Sequence, residues 1–147
     1  MDKNESVYRA SVLLVRHFRD CLERGRRGQH SRVFSHILRP EIEFVGCGRS
    51  QAVIDGEPQH PEHVVPCAVM IEESFRLLES GSYGEHEIAG LLSKHWKVAL
   101  ISKREAAQLD AKDGDDLKSQ MPRGWTFEEG DTFARLTKAG IRLEPLA

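Results

Sequence analysis

His60-Pro61-Glu62-His63-Val64-Val65-Pro66 sets an acid and a histidine side by side at the head of a short β-branched run, which a proline closes. Paired valines favour extended chain. Neighbouring side chains on a strand point to opposite faces, so Glu62 and His63 can serve two separate tasks. His60, two residues before Glu62, shares its face. A carboxylate of this kind holds a hard divalent cation, and an imidazole takes a proton from water. The same residues also describe a polar strand edge with a histidine near its end, and both readings stand at this point.

Working outward, the pattern on either side is mostly helical. Val7, Ser11, Leu14, Val15, Phe18 and Leu22 recur at spacings of three and four and predict a helix over residues 5–24, ended by Gly25. A short helix over 32–38 is stopped by Pro40. Alternation through Ile42 and Phe44 predicts a strand, Gly46-Cys47-Gly48 a turn, and Ala52-Val53-Ile54 a second strand. After Pro66 the apolar spacing predicts a helix to Gly81 and another over 85–94. His95-Trp96-Lys97-Val98-Ala99-Leu100-Ile101 reads as a buried strand. Ser102 and Glu105 have capping-box spacing and open a helix to about Ala111. Residues 112–130 read as loop, and Asp131 caps a last helix that Gly140 ends.

These elements predict an α+β fold, mostly helical, in one domain of 147 residues. Basic helices fill 1–40, the core lies in 60–111 with a helical insertion at 67–94, and a loop and helix make up 112–147. Apolar residues at 39% and charged residues at 30% exclude a disordered chain. No apolar run approaches the ~20 residues that span a bilayer, so no membrane partner is expected. The first six residues lack the basic and apolar regions of a signal peptide, which predicts a cytoplasmic protein. The three cysteines form no Cys-x-x-Cys pair, so buried free thiols are expected rather than a zinc site.

Net charge is −2, unevenly spread: residues 1–40 hold nine Lys and Arg against four Asp and Glu, a net +5, and the remainder carries −7. Such an arginine excess attracts phosphate, or it is a solvated helix face.

The block Glu62-His63-Val64-Val65-Pro66, followed by a second strand and a capped helix, resembles the ββα-metal core of the HNH (His-Me finger) endonucleases. The resemblance covers residues 60–111 and implies a small antiparallel strand pair packed on a metal-binding helix. It implies Glu62 as a metal ligand and His63 as the general base. His95 would stand where the family usually has asparagine and orient the base, and Asp110 would be the second ligand. One Mg²⁺ or Mn²⁺ ion and a nucleic-acid partner follow, DNA ahead of RNA, with Arg24, Arg26, Arg27 and Arg32 on backbone phosphates. The chemistry suits those roles: the cation stabilises charge developing on the phosphate, and a histidine accepts a proton near neutral pH.

Two features depart from the family pattern. Ala106 falls at the first ligand position of the helix, and Glu105, one residue away, already has a capping role. The insertion at 67–94 is also longer than in compact members. Two functions are therefore expected of this chain: an HNH-like metal-dependent nuclease, or a catalytically degenerate HNH-fold binding or regulatory protein.

Overall fold

The run Val98-Ala99-Leu100-Ile101 has apolar side chains facing both ways, and it becomes an interior strand covered on both faces. In the computed structural model, which describes residues 2–110 and 117–146, the elements are α1 (Lys3–Glu23), α2 (Arg32–Ile37), α3 (Glu41–Val45), β1 (Gly46–Ser50), α4 (Gln51–Ile54), β2 (Gln59–His63), α5 (Cys67–Ser80), α6 (Glu85–His95), β3 (Val98–Ser102), α7 (Lys103–Leu109), α8 (Ala134–Lys138) and β4 (Leu143–Glu144). They form an α+β domain around a four-stranded mixed sheet of order β2-β3-β1-β4. β2 runs antiparallel to β3, with His60 opposite Ile101 and Glu62 opposite Ala99. β3 is parallel to β1, and β4 closes the other edge antiparallel to β1.

The sheet divides two apolar cores. One is built from the long helices and holds Phe18, Phe34, Phe75 and Trp96, all fully buried. The other holds Val64, Ala99, Ile101, Leu109, Leu136 and Ile141, from β3, α7, α8 and the segments beside them. α7 packs on both β2 and β3. Its start is the capping box read from Ser102 and Glu105: Glu105 N–H donates to Ser102 Oγ at 3.0 Å, and Ser102 N–H donates to Glu105 Oε1 at 2.9 Å. No described helix is long and apolar enough to cross a membrane.

The structure corrects the reading of 41–54. The alternating segment is the short helix α3, the Gly-Cys-Gly segment is β1, and Ala52-Val53-Ile54 lies in α4. The reason is backbone proximity. A Cβ on Gly46 would stand 2.5 Å from the Ile42 carbonyl oxygen, and one on Gly48 would stand 2.8 Å from that of Glu144. Gly48 lets β1 lie close against β4, and Gly46 lets the chain leave α3 past the Ile42 carbonyl, so neither marks a turn. Gly46→Ala is thus expected to cost about 1–3 kcal/mol in denaturant unfolding. Gly90→Ala, in open space within α6, is expected to stabilise by roughly 0.5–1 kcal/mol. Equal effects from the two would contradict this account of β1.

Two boundaries also move. α6 runs on through His95, so the third strand begins at Val98, and β2 ends at His63. The end of the α7 reading at Ala111, and the loop reading over 112–116, lie outside the described residues.

Candidate functional site

Alternation along β2 sends Glu62 and His63 to different surroundings. Glu62 and His60 line a pocket of about 420 Å³ with Lys103, Ala106, Ala107 and Asp110 of the α7 segment and with Lys118. The two acids expected to act together therefore meet, across the β2–α7 junction. Ala106 lines the same wall and puts a methyl where the family pattern wants a ligand. His60 Nε2 stands 4.0 Å from Glu62 Oε2.

Beneath this pocket lies a residue to which sequence reading assigned no role. Arg135 of α8 is 1% exposed. Its Nη1 donates to Leu117 O at 2.8 Å, its Nη2 to His63 O at 2.5 Å and its Nε to Val64 O at 3.3 Å. Nη1 also lies 3.8 Å from Glu62 Oε1. Burial works against the charges of both partners. It pushes the Glu62 carboxyl up from its ordinary range, opposed by Arg135, His60 and His63 and assisted by Asp110. It pushes Arg135 down, opposed by Glu62 and Asp110. Only fixed partners make such a buried cation tolerable. The sequence marks a helix between Asp131 and Gly140, but nothing in that pattern signals that Arg135 would be buried against carbonyls.

His63 faces the helical core. Its ring packs against Phe34 at 6.3 Å between centroids. His63 Nε2 and Glu41 Oε2 are 2.7 Å apart, and the same oxygen accepts Trp96 Nε1–H at 2.7 Å. The Cys67 side chain, at the start of α5, also favours the charged ring. Burial pushes the imidazole down, but Cys67 and Glu41 outweigh it and raise the pKa from 6.5 to about 10. At neutral pH the ring is an imidazolium donating to Glu41, and a protonated ring cannot take a proton from water. Glu41 was missed because its segment was read as a strand; Pro40 ahead of two acidic first-turn positions, Glu41 and Glu43, is the helix signal available.

His95 is wholly buried and bonds elsewhere than to His63. Its Nε2 donates to the Phe127 carbonyl at 2.8 Å, which fixes the proton there. Its Nδ1 then accepts the Thr132 hydroxyl at 2.9 Å. Burial lowers its pKa, so the ring is neutral and ties α6 to the 127–132 segment. The expected role of orienting the base is corrected to this structural one.

None of the four arginines expected on phosphate lines the Glu62 pocket. All four are exposed. Arg27 is engaged with Glu72 and Glu79 and lies 5.2 Å over the Phe75 ring. Arg24 donates to the Asp20 carbonyl at 3.3 Å, and Arg32 Nη2 approaches His30 Nε2 at 3.5 Å.

As a donor set for one Mg²⁺ or Mn²⁺, Glu62 and Asp110 offer two carboxylates, with no third acid among the described residues that line the pocket, and Arg135 lies beside Glu62. Among the described residues no group of three or more His, Cys, Asp or Glu is placed to hold a metal ion. No family model, curated protein or solved structure matches the chain.

Proposed function

We propose that the chain is a non-hydrolytic binding or regulatory protein on an HNH-like strand–helix scaffold, with nucleic acid as its partner. The observation that carries the reading is Arg135, a buried guanidinium held by three carbonyls and set against Glu62. A fixed protein cation there balances the carboxylate without an ion. Two further features support it: the methyl of Ala106 in the pocket wall, and the engagement of His63 with Glu41. Exposed Arg24, Arg26 and Arg32 supply phosphate contacts.

A second reading, a nuclease using one Mg²⁺ or Mn²⁺, is favoured by the meeting of Glu62 and Asp110 at one pocket. Fluorescence anisotropy and gel assays on labelled single- and double-stranded oligonucleotides, with and without Mn²⁺, separate the two. Salt-sensitive binding with the oligonucleotide intact is expected. Mn²⁺-dependent cleavage that disappears in Asp110→Asn would overturn the binding reading in favour of the nuclease. Failure to bind any oligonucleotide would remove nucleic acid as the partner.

A further inference from the structure

The end of the chain folds back on the sheet beside a second cavity, larger than the Glu62 pocket. Gly140, at φ 77°, ends α8, and Ile141 N–H donates back to Leu136 O at 2.9 Å. The chain reverses there, and β4 pairs with β1 through Leu143 opposite Ser50. A cavity of about 690 Å³ lies among α8, this reversal, β4 and Cys47 of β1. That volume falls within the ~300–1,000 Å³ of small-molecule sites. The cavity shares no lining residue with the Glu62 pocket.

Its wall is apolar with one charge. Phe133, Leu136, Ile141, Leu143 and Pro145 supply the apolar surface. Leu136 and Ile141 are buried in the smaller core, whereas Phe133 is left 37% exposed. Burial pushes the Cys47 thiol up, so this part of the wall is neutral too. Arg142 brings the charge, and no acidic residue is among the described residues that line the cavity. Arg16, Arg76 and Arg104 each meet a carboxylate. Arg142 is exposed, and no described residue forms an ion pair or hydrogen bond with its side chain. Its five N–H donors are therefore open to an anion from outside the chain.

We propose that this cavity binds a small monocarboxylate with a medium-length aliphatic chain, its head on Arg142 and its chain among Phe133, Leu136, Ile141 and Leu143. Charge selects the head group. A guanidinium takes a carboxylate through two parallel N–H donations, and one cation balances one negative charge. A phosphate monoester carries about −1.5 to −2 at neutral pH and would be left partly uncompensated. Thr137 adds a hydroxyl to the same wall. The apolar side chains favour the aliphatic body, because its burial removes their surface and its own from water.

The proposal does not rest on the nucleic-acid reading, and no oligonucleotide enters its test. Octanoate, octanol and octyltrimethylammonium share a chain and differ in head charge. Each is titrated into the intact chain by calorimetry. In parallel, alkylation of Cys47 by N-ethylmaleimide is followed by mass spectrometry of its peptide, with Cys21, outside the cavity, as the internal reference. Octanoate is expected to bind saturably, more tightly than octyltrimethylammonium, and to slow Cys47 alkylation by about fivefold or more while the Cys21 rate stays unchanged. Arg142→Gln, at an exposed position that the fold does not depend on, is expected to weaken octanoate by about fivefold and to leave octanol unchanged. Absence of saturable octanoate binding overturns the proposal. So does equal affinity for octanoate and octyltrimethylammonium, octanoate binding that leaves Cys47 unprotected, or an unchanged octanoate affinity in Arg142→Gln.

Discussion

Arg135→Met is expected to be among the most destabilising single substitutions in the chain, at about 3–5 kcal/mol by denaturant unfolding. The change removes the donor to the carbonyls of His63, Val64 and Leu117. It also leaves Glu62, a partly buried carboxylate already disfavoured by burial, without its cation. Both losses act in the same direction, because orphaned carbonyls and an unpaired charge each carry a desolvation penalty. Arg135→Lys is expected to recover little, since a single ammonium cannot reach three carbonyls and a carboxylate as a planar fork does. Glu62→Gln alone is expected to be milder, at roughly 1 kcal/mol, because the arginine keeps its three carbonyls. In Arg135→Met combined with Glu62→Leu, part of the loss should return, because the buried charge has gone along with its partner. A loss under about 1 kcal/mol for Arg135→Met would show that Glu62 finds another partner, and would remove the main support for a metal-independent pocket.

The parts of this arrangement that repeat locally were legible in the sequence. The period of α1, the capping box at Ser102 and Glu105, and the alternation that separates Glu62 from His63 all follow from spacing, and spacing is local. That Asp110 would stand near Glu62 was implied only by the family resemblance, which counts helix positions from the strand end; the two acids line one pocket. What could not be read depends on distant backbone. Gly46 and Gly48 look like a turn until the Ile42 and Glu144 carbonyls are seen beside them. Glu41, misread as a strand residue, is a partner of His63 from 22 positions away. Arg135 reaches Glu62 from the far end of the chain, and its environment is set by carbonyls that any residue supplies. Motif reading assigned His63 from its neighbour Glu62, whereas the fold pairs it with Glu41.

That reassignment gives His63 a measurable pH signature. The folded pKa is raised from 6.5 to about 10, so the imidazolium is favoured by folding. The stabilisation is fully present below pH 6.5 and is lost as pH rises through the folded value of about 10. At about 1.4 kcal/mol per unit, the whole effect is on the order of 5 kcal/mol. Glu62 shows the same sign in a different window: its raised carboxyl contributes below the ordinary range near 4.5, and that contribution is lost as pH rises through the folded value. Titration of Glu62 therefore does not produce the alkaline loss expected from His63. Unfolding free energies measured from pH 6.5 to 10 should fall by several kcal/mol in the wild type and stay much flatter in His63→Gln. Parallel curves for the two proteins would mean that His63 titrates normally and is free to act as a base, which would restore the nuclease reading. Glu41→Gln should lie between them, because it removes one of the two groups that raise the His63 pKa and leaves the other, Cys67, so the loss should begin at lower pH than in the wild type. This ordering separates an ion pair with His63 from general alkaline weakening, which would move all three curves together.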